Sequence, residues 1–144
     1  METRGRHVIA ELDGCDARLL SNPPCIRLLM RRAAEEAGAT LLADEVFEFQ
    51  NGGVSGFVLL AESHISIHTW PEHRYAALDI FTCGQHTLPD MACAYLMKHL
   101  GATDVRVTAM ERGVPTKRGS HEHHVAPPRV GMVGPVLANL PNSA

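Results

Sequence analysis

The segment SHISIHTW alternates in chemical character with a period of two, and it limits the possible folds more than any other part of the chain. Ile65, Ile67 and Thr69 occupy every second position, while His64, Ser66 and His68 occupy the alternate positions. This period is typical of a β-strand with one buried face, and it places both histidines on the same face. The proline that follows the segment predicts the end of the strand.

Further strands are predicted on both sides of this segment, because short runs of apolar and β-branched residues are separated by turn residues. These strands are His7–Leu12, Thr40–Phe49, Gly56–Ala61, Tyr75–Thr82 and Asp104–Met110. The connections between the middle strands are short, which favours antiparallel pairing.

Two helices are also predicted. Ser21 or Asn22 caps the first, which begins near Pro23 and ends at Gly38, and the second covers Pro89–Leu100. The order of elements is strand, helix, several adjacent strands, helix and strand. We therefore expect an α+β fold, a two-layer sandwich with a mainly antiparallel sheet and helices packed on one face.

Composition limits the class of protein and its partners. A length of 144 residues fits one domain, and a net charge of -3 gives no basic excess for binding nucleic acid. No apolar run is long enough to span a membrane, and the N-terminus lacks the pattern of a secretory signal. The four cysteines show no CxxC spacing, so we expect free thiols in a reducing cytoplasm.

The end of the chain differs in composition from the rest. Residues 1–116 are predicted to form the domain, and residues 117–144 a flexible tail, because glycine and proline recur there without a sustained period. His121, His123 and His124 cluster in this tail, where we expect them to be solvated.

Three motifs lie close together in the middle of the chain: ESH at 62–64, IHTWPE at 67–72 and FTCG at 81–84. With GRH and GAT upstream and ERG downstream, they resemble the bacterial S-adenosylmethionine decarboxylases in one register from Gly5 to Gly113. The resemblance implies a self-cleaving enzyme with a pyruvoyl cofactor. It also implies conversion of S-adenosylmethionine to CO₂ and S-adenosyl 3-(methylthio)propylamine, the aminopropyl donor for spermidine synthesis, by a homodimer of processed protomers.

The chemistry centres on Ser63. A serine at a tight junction between strands has its hydroxyl near the preceding carbonyl carbon, here that of Glu62, and a strained peptide favours attack. The resulting ester loses the Ser63 α-proton and expels the Glu62 carboxylate, and hydrolysis then leaves a pyruvoyl group. The products are chains 1–62 and 63–144, and the pyruvoyl carbonyl forms an imine with the substrate amine.

Three further residues are assigned roles in this chemistry by the resemblance. His68 matches the proton shuttle for self-cleavage, and a histidine suits that role because its pKa is near neutral. Strand alternation predicts that His68 reaches back toward the junction. Ser55 matches a residue that supports processing, and Cys83 matches the acid that protonates the α-carbon after CO₂ leaves.

The resemblance also implies three substrate contacts, Phe49, Ile65 and Glu72. Phe49 matches a stacking residue, and an aromatic face can bind an adenine ring or a sulfonium charge. Glu72 matches a contact to the ribose, and Ile65 is grouped with both as a substrate-binding residue.

Alternatives remain open. Singly, these residues have simpler interpretations as turn serines, a strand histidine, a buried thiol, a core aromatic and a solvated carboxylate; their joint occurrence favours the enzyme. A non-enzymatic metal-binding module would need His64 and His68 on a helix, which the alternation opposes, and we expect no resident metal.

A pyruvoyl decarboxylase of ornithine or arginine on the same scaffold is the nearest rival. It is kept because of two departures from the family pattern. Gln50 and Asn51 replace a proline-containing turn, and Arg74 replaces a common glycine, where it could pair with Glu72, face solvent or alter specificity.

Overall fold

The computed structural model describes residues 2–141. Within that range the chain forms eight strands and four helices. In chain order they are β1 (Gly5–Asp13), α1 (Ala17–Leu20), α2 (Pro23–Glu36), β2 (Leu41–Glu48), β3 (Val54–Leu60), β4 (Ser63–Trp70), β5 (Tyr75–Cys83), α3 (Pro89–His99), β6 (Asp104–Pro115), β7 (His121–Val125), β8 (Arg129–Met132) and α4 (Val133–Ala138). A short 3₁₀ helix, Pro71–His73, joins β4 to β5.

The strands of the described residues form one antiparallel sheet. Its order is β2-β3-β4-β5-β1-β6-β7, and β8 also pairs with β6. Strands β2 to β5 follow chain order because their connections are short. Strand β1 lies between β5 and β6 in the centre of the sheet.

Helices α2 and α3 cover one face of the sheet. The strand side chains on this face are almost completely buried: Val8, Ala10, Leu12, Val58, Ile65, Ile67, Leu78 and Ile80. At Gly56 a Cβ atom would lie 2.7 Å from the Sδ atom of Met30, so this glycine allows α2 to approach the sheet closely. The predicted α+β sandwich with helices on one face is confirmed.

Helix α2 begins and ends where the sequence predicts. The Asn22 side chain accepts a hydrogen bond from the backbone N–H of Cys25, and two prolines fill the first turn. Gly38 follows the last turn with a φ of 69°, a left-handed conformation that glycine adopts without a steric penalty. Among residues 2–141, no helix has the length and apolar character needed to cross a bilayer.

One ion pair connects the helical layer to the central strand. Asp90, in the first turn of α3, is only 2% exposed, and Arg6 of β1 binds it through Nε and Nη2 at 2.6 and 3.0 Å. The carboxylate also lies at the positive end of the helix dipole. This bidentate contact fixes the start of α3 against β1.

The secondary structure of the C-terminal segment differs from the prediction. Instead of a loose tail, β6 extends to Pro115, β7 and β8 pair with its outer edge, and α4 follows. Val136 and Leu140 join the core. The pattern was missed because β7 is exposed on both faces, so no alternation of polar and apolar residues marks it.

No helix of the described residues covers the opposite face of the sheet, and we call it the open face. Its side chains are a mixture of apolar and titratable groups. Those from strands β1 to β5 include His7, Phe47, Ser55, Phe57, Leu59, His64, His68, Trp70, Asp79, Phe81 and Cys83.

Replacing Asp90 with alanine tests the ion pair. We expect Asp90→Ala to lower the free energy of unfolding by about 2–3 kcal/mol, because it leaves the half-buried Arg6 guanidinium without its partner. The matched control is Arg18→Ala, which removes a 93% exposed partner of Asp16 and should cost less than about 1 kcal/mol. Urea unfolding monitored by circular dichroism measures both, and equal losses would contradict the assigned role.

Candidate active site

The junction between β3 and β4 combines backbone strain with a buried serine. Leu60 pairs with Ser63, so only Ala61 and Glu62 form the turn. Glu62 has a φ of 62°, a left-handed conformation that costs a residue with a side chain about 1–2 kcal/mol. Ser63 is 7% exposed. The peptide bond that the sequence predicts to break therefore follows a strained residue.

The Ser63 hydroxyl is held inside this junction. It donates a hydrogen bond to the carbonyl oxygen of Ala61 at 3.3 Å, and it accepts one from the backbone N–H of Cys83 at 3.4 Å. Both distances are near the long limit for a hydrogen bond, so neither contact holds the oxygen strongly. The oxygen remains next to the Glu62–Ser63 peptide.

Cys83, the last residue of β5, lies beside this serine. Burial raises the pKa of its thiol, and the negative charge of Glu62 raises it further, although Arg112 acts in the opposite direction. The ordinary pKa of a cysteine is already above 8. The thiol is therefore protonated at neutral pH and can donate a proton.

A second group of predicted residues lies toward the other end of β4. The Ser55 Oγ and His68 Nδ1 atoms share a 2.8 Å hydrogen bond across the β3–β4 pair. Together with Phe49 and Trp70, they line a cleft of about 650 Å³. The cleft combines two aromatic rings with a hydroxyl and an imidazole, a composition suited to a small organic ligand.

The two groups do not meet within one chain. Ser63 and His68 are five positions apart on one extended strand, which corresponds to about 17 Å. Ser63 also begins the strand on the buried face, whereas His68 projects from the open face. The expectation that His68 reaches back to the junction in its own chain is therefore wrong, because a strand rises too far per residue.

The remaining predicted substrate contacts are placed differently. Phe49 is about half exposed and lies in the cleft, whereas Glu72 is exposed just beyond it in the 3₁₀ helix. Ile65 is 0% exposed and pairs with Val58 and Ile80 in the core. Its side chain packs in the core, on the face to which the sequence alternation assigns it, so the arrangement adds no support for a substrate contact.

A cluster of two histidines and one aspartate, which the sequence did not predict, occupies the middle of the open face; His64 hydrogen-bonds to the aspartate, and His7 makes an ion-pair contact with it. The Oδ1 atom of Asp79 lies 2.8 Å from His64 Nε2 and 3.0 Å from His7 Nε2. Burial alone raises the pKa of Asp79, but the two imidazole contacts outweigh it, and the pKa is lowered overall. The open-face alternation could have indicated these neighbours, but only the β1–β5 register brings His7 beside Asp79.

The metal-binding alternative gains no support from this arrangement. His64 binds Asp79 and His68 binds Ser55, while His124 contacts Glu122 on β7. No group of three metal-ligating side chains with suitable geometry is found between residues 2 and 141.

The structure gives a local role to both departures from the family pattern, Arg74 and the turn before Gly53. Arg74 has a φ of 52°, and its guanidinium donates to the backbone carbonyls of Cys15 and Gly14 at 2.8 and 3.1 Å. It therefore neither pairs with Glu72 nor enters the cleft. In the other turn, Asn51 Oδ1 accepts a hydrogen bond from the N–H of Gly53, so an amide replaces the rigidity of proline.

The fold and these residues define a class of protein: an α+β protein with a strained Glu-Ser junction and a cysteine next to it. The family model for S-adenosylmethionine decarboxylase matches residues 6–113, and this chain belongs to that family.

Individual relatives agree with this assignment. The chain is 44% identical over 120 residues to an S-adenosylmethionine decarboxylase proenzyme of Prochlorococcus marinus, covering 83% of this chain and 96% of the relative. It is 46% identical over 114 residues to the proenzyme of Acetivibrio thermocellus, covering 79% and 92%. The crystal structure of the Aquifex aeolicus adenosylmethionine decarboxylase superposes with a TM-score of 0.68 at 33% identity, covering 86% and 91%.

Two substitutions at Arg74 test its structural role. Arg74→Ala removes the contacts to Cys15 and Gly14 and retains the left-handed strain, whereas Arg74→Gly removes the contacts and relieves the strain. We therefore expect the glycine variant to be more stable than the alanine variant by about 1 kcal/mol. Thermal unfolding compares them, and an alanine variant as stable as the glycine variant would refute the assigned strain.

Proposed function

We propose that this chain cleaves itself between Glu62 and Ser63 and becomes a pyruvoyl-dependent decarboxylase of S-adenosylmethionine. The observation that carries the proposal is the left-handed Glu62 before a buried Ser63, whose hydroxyl contacts the backbone of Cys83, a cysteine with a raised thiol pKa. The relatives are named as proenzymes, which supports self-cleavage. The product donates the aminopropyl group in spermidine synthesis. Four free thiols are compatible with the cytoplasm.

Self-cleavage begins at the Ser63 hydroxyl. Its oxygen attacks the Glu62 carbonyl carbon, the C–N bond breaks as the C–O bond forms, and the hydroxyl proton moves to the freed amine. Loss of the Ser63 α-proton then expels the Glu62 carboxylate. Hydrolysis releases ammonia and leaves the pyruvoyl group at the start of chain 63–144. Opening this bond also releases the strain at Glu62.

The residues at the junction fit the group that this reaction forms. A pyruvoyl group supplies a carbonyl that accepts electrons from the substrate as CO₂ leaves. Cys83 holds a proton near the same atoms, because burial and Glu62 raise the pKa of its thiol. We assign it the protonation of the substrate α-carbon.

The distance between the two groups of residues supports an active site shared between two copies. If the open faces pack together around a twofold axis across the middle of β4, the β3–β4 junction and Cys83 of one copy lie opposite Ser55 and His68 of the other. The exposed apolar side chains on that face, including Phe57 and Trp70, favour such burial. In this arrangement His68 acts as the proton shuttle for cleavage of the partner chain, and Ser55 orients its imidazole.

The cleft supports S-adenosylmethionine over ornithine or arginine. Phe49 and Trp70 offer aromatic faces for an adenine ring and a sulfonium charge, which the two amino acids lack. Glu72 lies beyond the cleft, where it can contact the ribose. Arg74 is directed toward the backbone of the β1–α1 loop, so it gives no reason to favour the rival substrates.

Cleavage and substrate choice can be measured together. The purified protein should separate into chains 1–62 and 63–144, and mass spectrometry should find a pyruvoyl group on the second chain. It should decarboxylate S-adenosylmethionine and neither ornithine nor arginine. Ser63→Ala should remain intact and inactive, because a methyl group cannot attack Glu62. Decarboxylation by a fully uncleaved chain would exclude this mechanism.

Mixed dimers test the shared site. Ser63→Ala chains and His68→Ala chains, each carrying a different tag, are expected to cleave poorly when expressed alone. When they are expressed together, one of the two sites in each mixed dimer has both native residues, so the His68→Ala chain should now cleave. Cleavage of that chain is followed on a denaturing gel.

The control for this experiment is a chain with both substitutions, which cannot rescue the His68→Ala chain because it supplies no native histidine. If coexpression with Ser63→Ala produces no more cleavage than this control, the two residues do not act across copies.

A further inference from the structure

Strands β7 and β8 follow the segment that the family model matches. The match to the family model ends at residue 113. The alignment with the Prochlorococcus relative covers 96% of the relative but only 83% of this chain. Strands β7 and β8 lie consecutively along the outer edge of β6, and α4 then turns onto the helical layer. These elements widen the open face by one strand position.

Three apolar side chains of these strands project from the open face. Val125 pairs with Met110, and Val130 and Met132 pair with Arg106 and Asp104, all on the open side of β6. Their exposed fractions are 57%, 59% and 72%. By contrast, Val136 and Leu140 at the chain end are buried on the helical side. The segment thus contributes to the core at its end, but Val125, Val130 and Met132 form an exposed apolar strip that is continuous with the open face.

The twofold arrangement proposed above determines what this strip would meet. The twofold axis lies between the two sheets and runs perpendicular to the strands. It passes over a row of residues that pair across neighbouring strands: Ser66, Asp79, Ile9 and Thr108. Rotation about this axis places the row of paired residues that contains Met110 and Val125 opposite the row of the other copy that contains Arg106 and Val130. The side chain of Val125 then faces Val130 of the other copy, and the contact occurs twice by symmetry.

The charges in the outer rows are complementary under the same rotation. Arg112 lies two positions beyond Met110, and Asp104 lies two positions beyond Arg106, next to its paired neighbour Asp13. Arg112 of one copy therefore approaches a row with two carboxylates on the other copy. Opposite charges at these positions favour this register over a shifted one.

We propose that β7 and β8 form an additional, symmetric part of the interface between two copies of this chain, with Val125 of one copy packed against Val130 and Met132 of the other. The inference rests on the proposed face-to-face pairing of the open faces. The C-terminal segment then serves in assembly, because a second copy of this chain covers the apolar strip.

Single substitutions test the strip. We expect Val125→Lys and Val130→Glu each to raise the Kd of the dimer about tenfold or more, because each buries a charge against an apolar side chain. Leu28→Glu is the matched control: Leu28 is 49% exposed, but it lies on α2 away from the open face, and its Kd should match that of the parent. Sedimentation equilibrium measures Kd, and circular dichroism verifies folding.

A chain with both Val125→Lys and Val130→Glu tests the facing directly. Within one copy, Val125 and Val130 pair with β6 residues that are four positions apart, so the two side chains are separated by about 13 Å. The introduced charges therefore meet only across the interface. The double variant should recover most of the lost affinity and show a stronger dependence of Kd on salt than the parent.

The outcomes separate this inference from the proposed function. A monomeric parent would overturn the shared site together with the inference. A dimeric parent with single variants indistinguishable from Leu28→Glu would overturn the inference alone, as would single variants that weaken the dimer without recovery in the double variant.

Discussion

The antiparallel hydrogen-bond ladder of β3, β4 and β5 determines the geometry on which the candidate site depends. Because Leu60 pairs with Ser63, only two residues remain for the turn, and Glu62 adopts a left-handed conformation. The same ladder places Cys83 beside Ser63 at one end and pairs Ser55 with His68 at the other. A shift by one residue would exchange the buried and open faces of β4, so the core specifies the register of the site.

The helices cover only one face of the sheet, and this one-sided cover links the fold to its proposed assembly. The buried face supplies the core and includes Ser63, while the open face holds Cys83, Ser55, His68 and the cluster around Asp79. Pairing two open faces buries apolar surface and also joins the separated halves, so one association would provide both stability and an active site. The C-terminal strands lengthen the face on which this association depends.

Arg74 and Glu62, the two left-handed residues other than glycine among the described residues, differ in the contacts that offset their backbone strain. Arg74 is held by two hydrogen bonds from its guanidinium to the β1–α1 loop, so its conformation is locked by neighbouring structure. Glu62 is exposed, and the adjacent serine is held only by long hydrogen bonds. Strain therefore remains available at the bond proposed to break, whereas at Arg74 it is offset by structural contacts.

The sequence alone determined the alternating strands, helices α2 and α3, the sandwich and the motifs of the family, because these depend on local periodicity and on residues close in the chain. The alternation also placed Ile65 in the core. Only the tertiary structure separated Ser63 from His68, since five residues that are near in sequence extend across about 17 Å of strand. It also decided the fate of the C-terminal segment, because an exposed edge strand gains its order from hydrogen bonds to β6, and these leave no periodic pattern in the sequence.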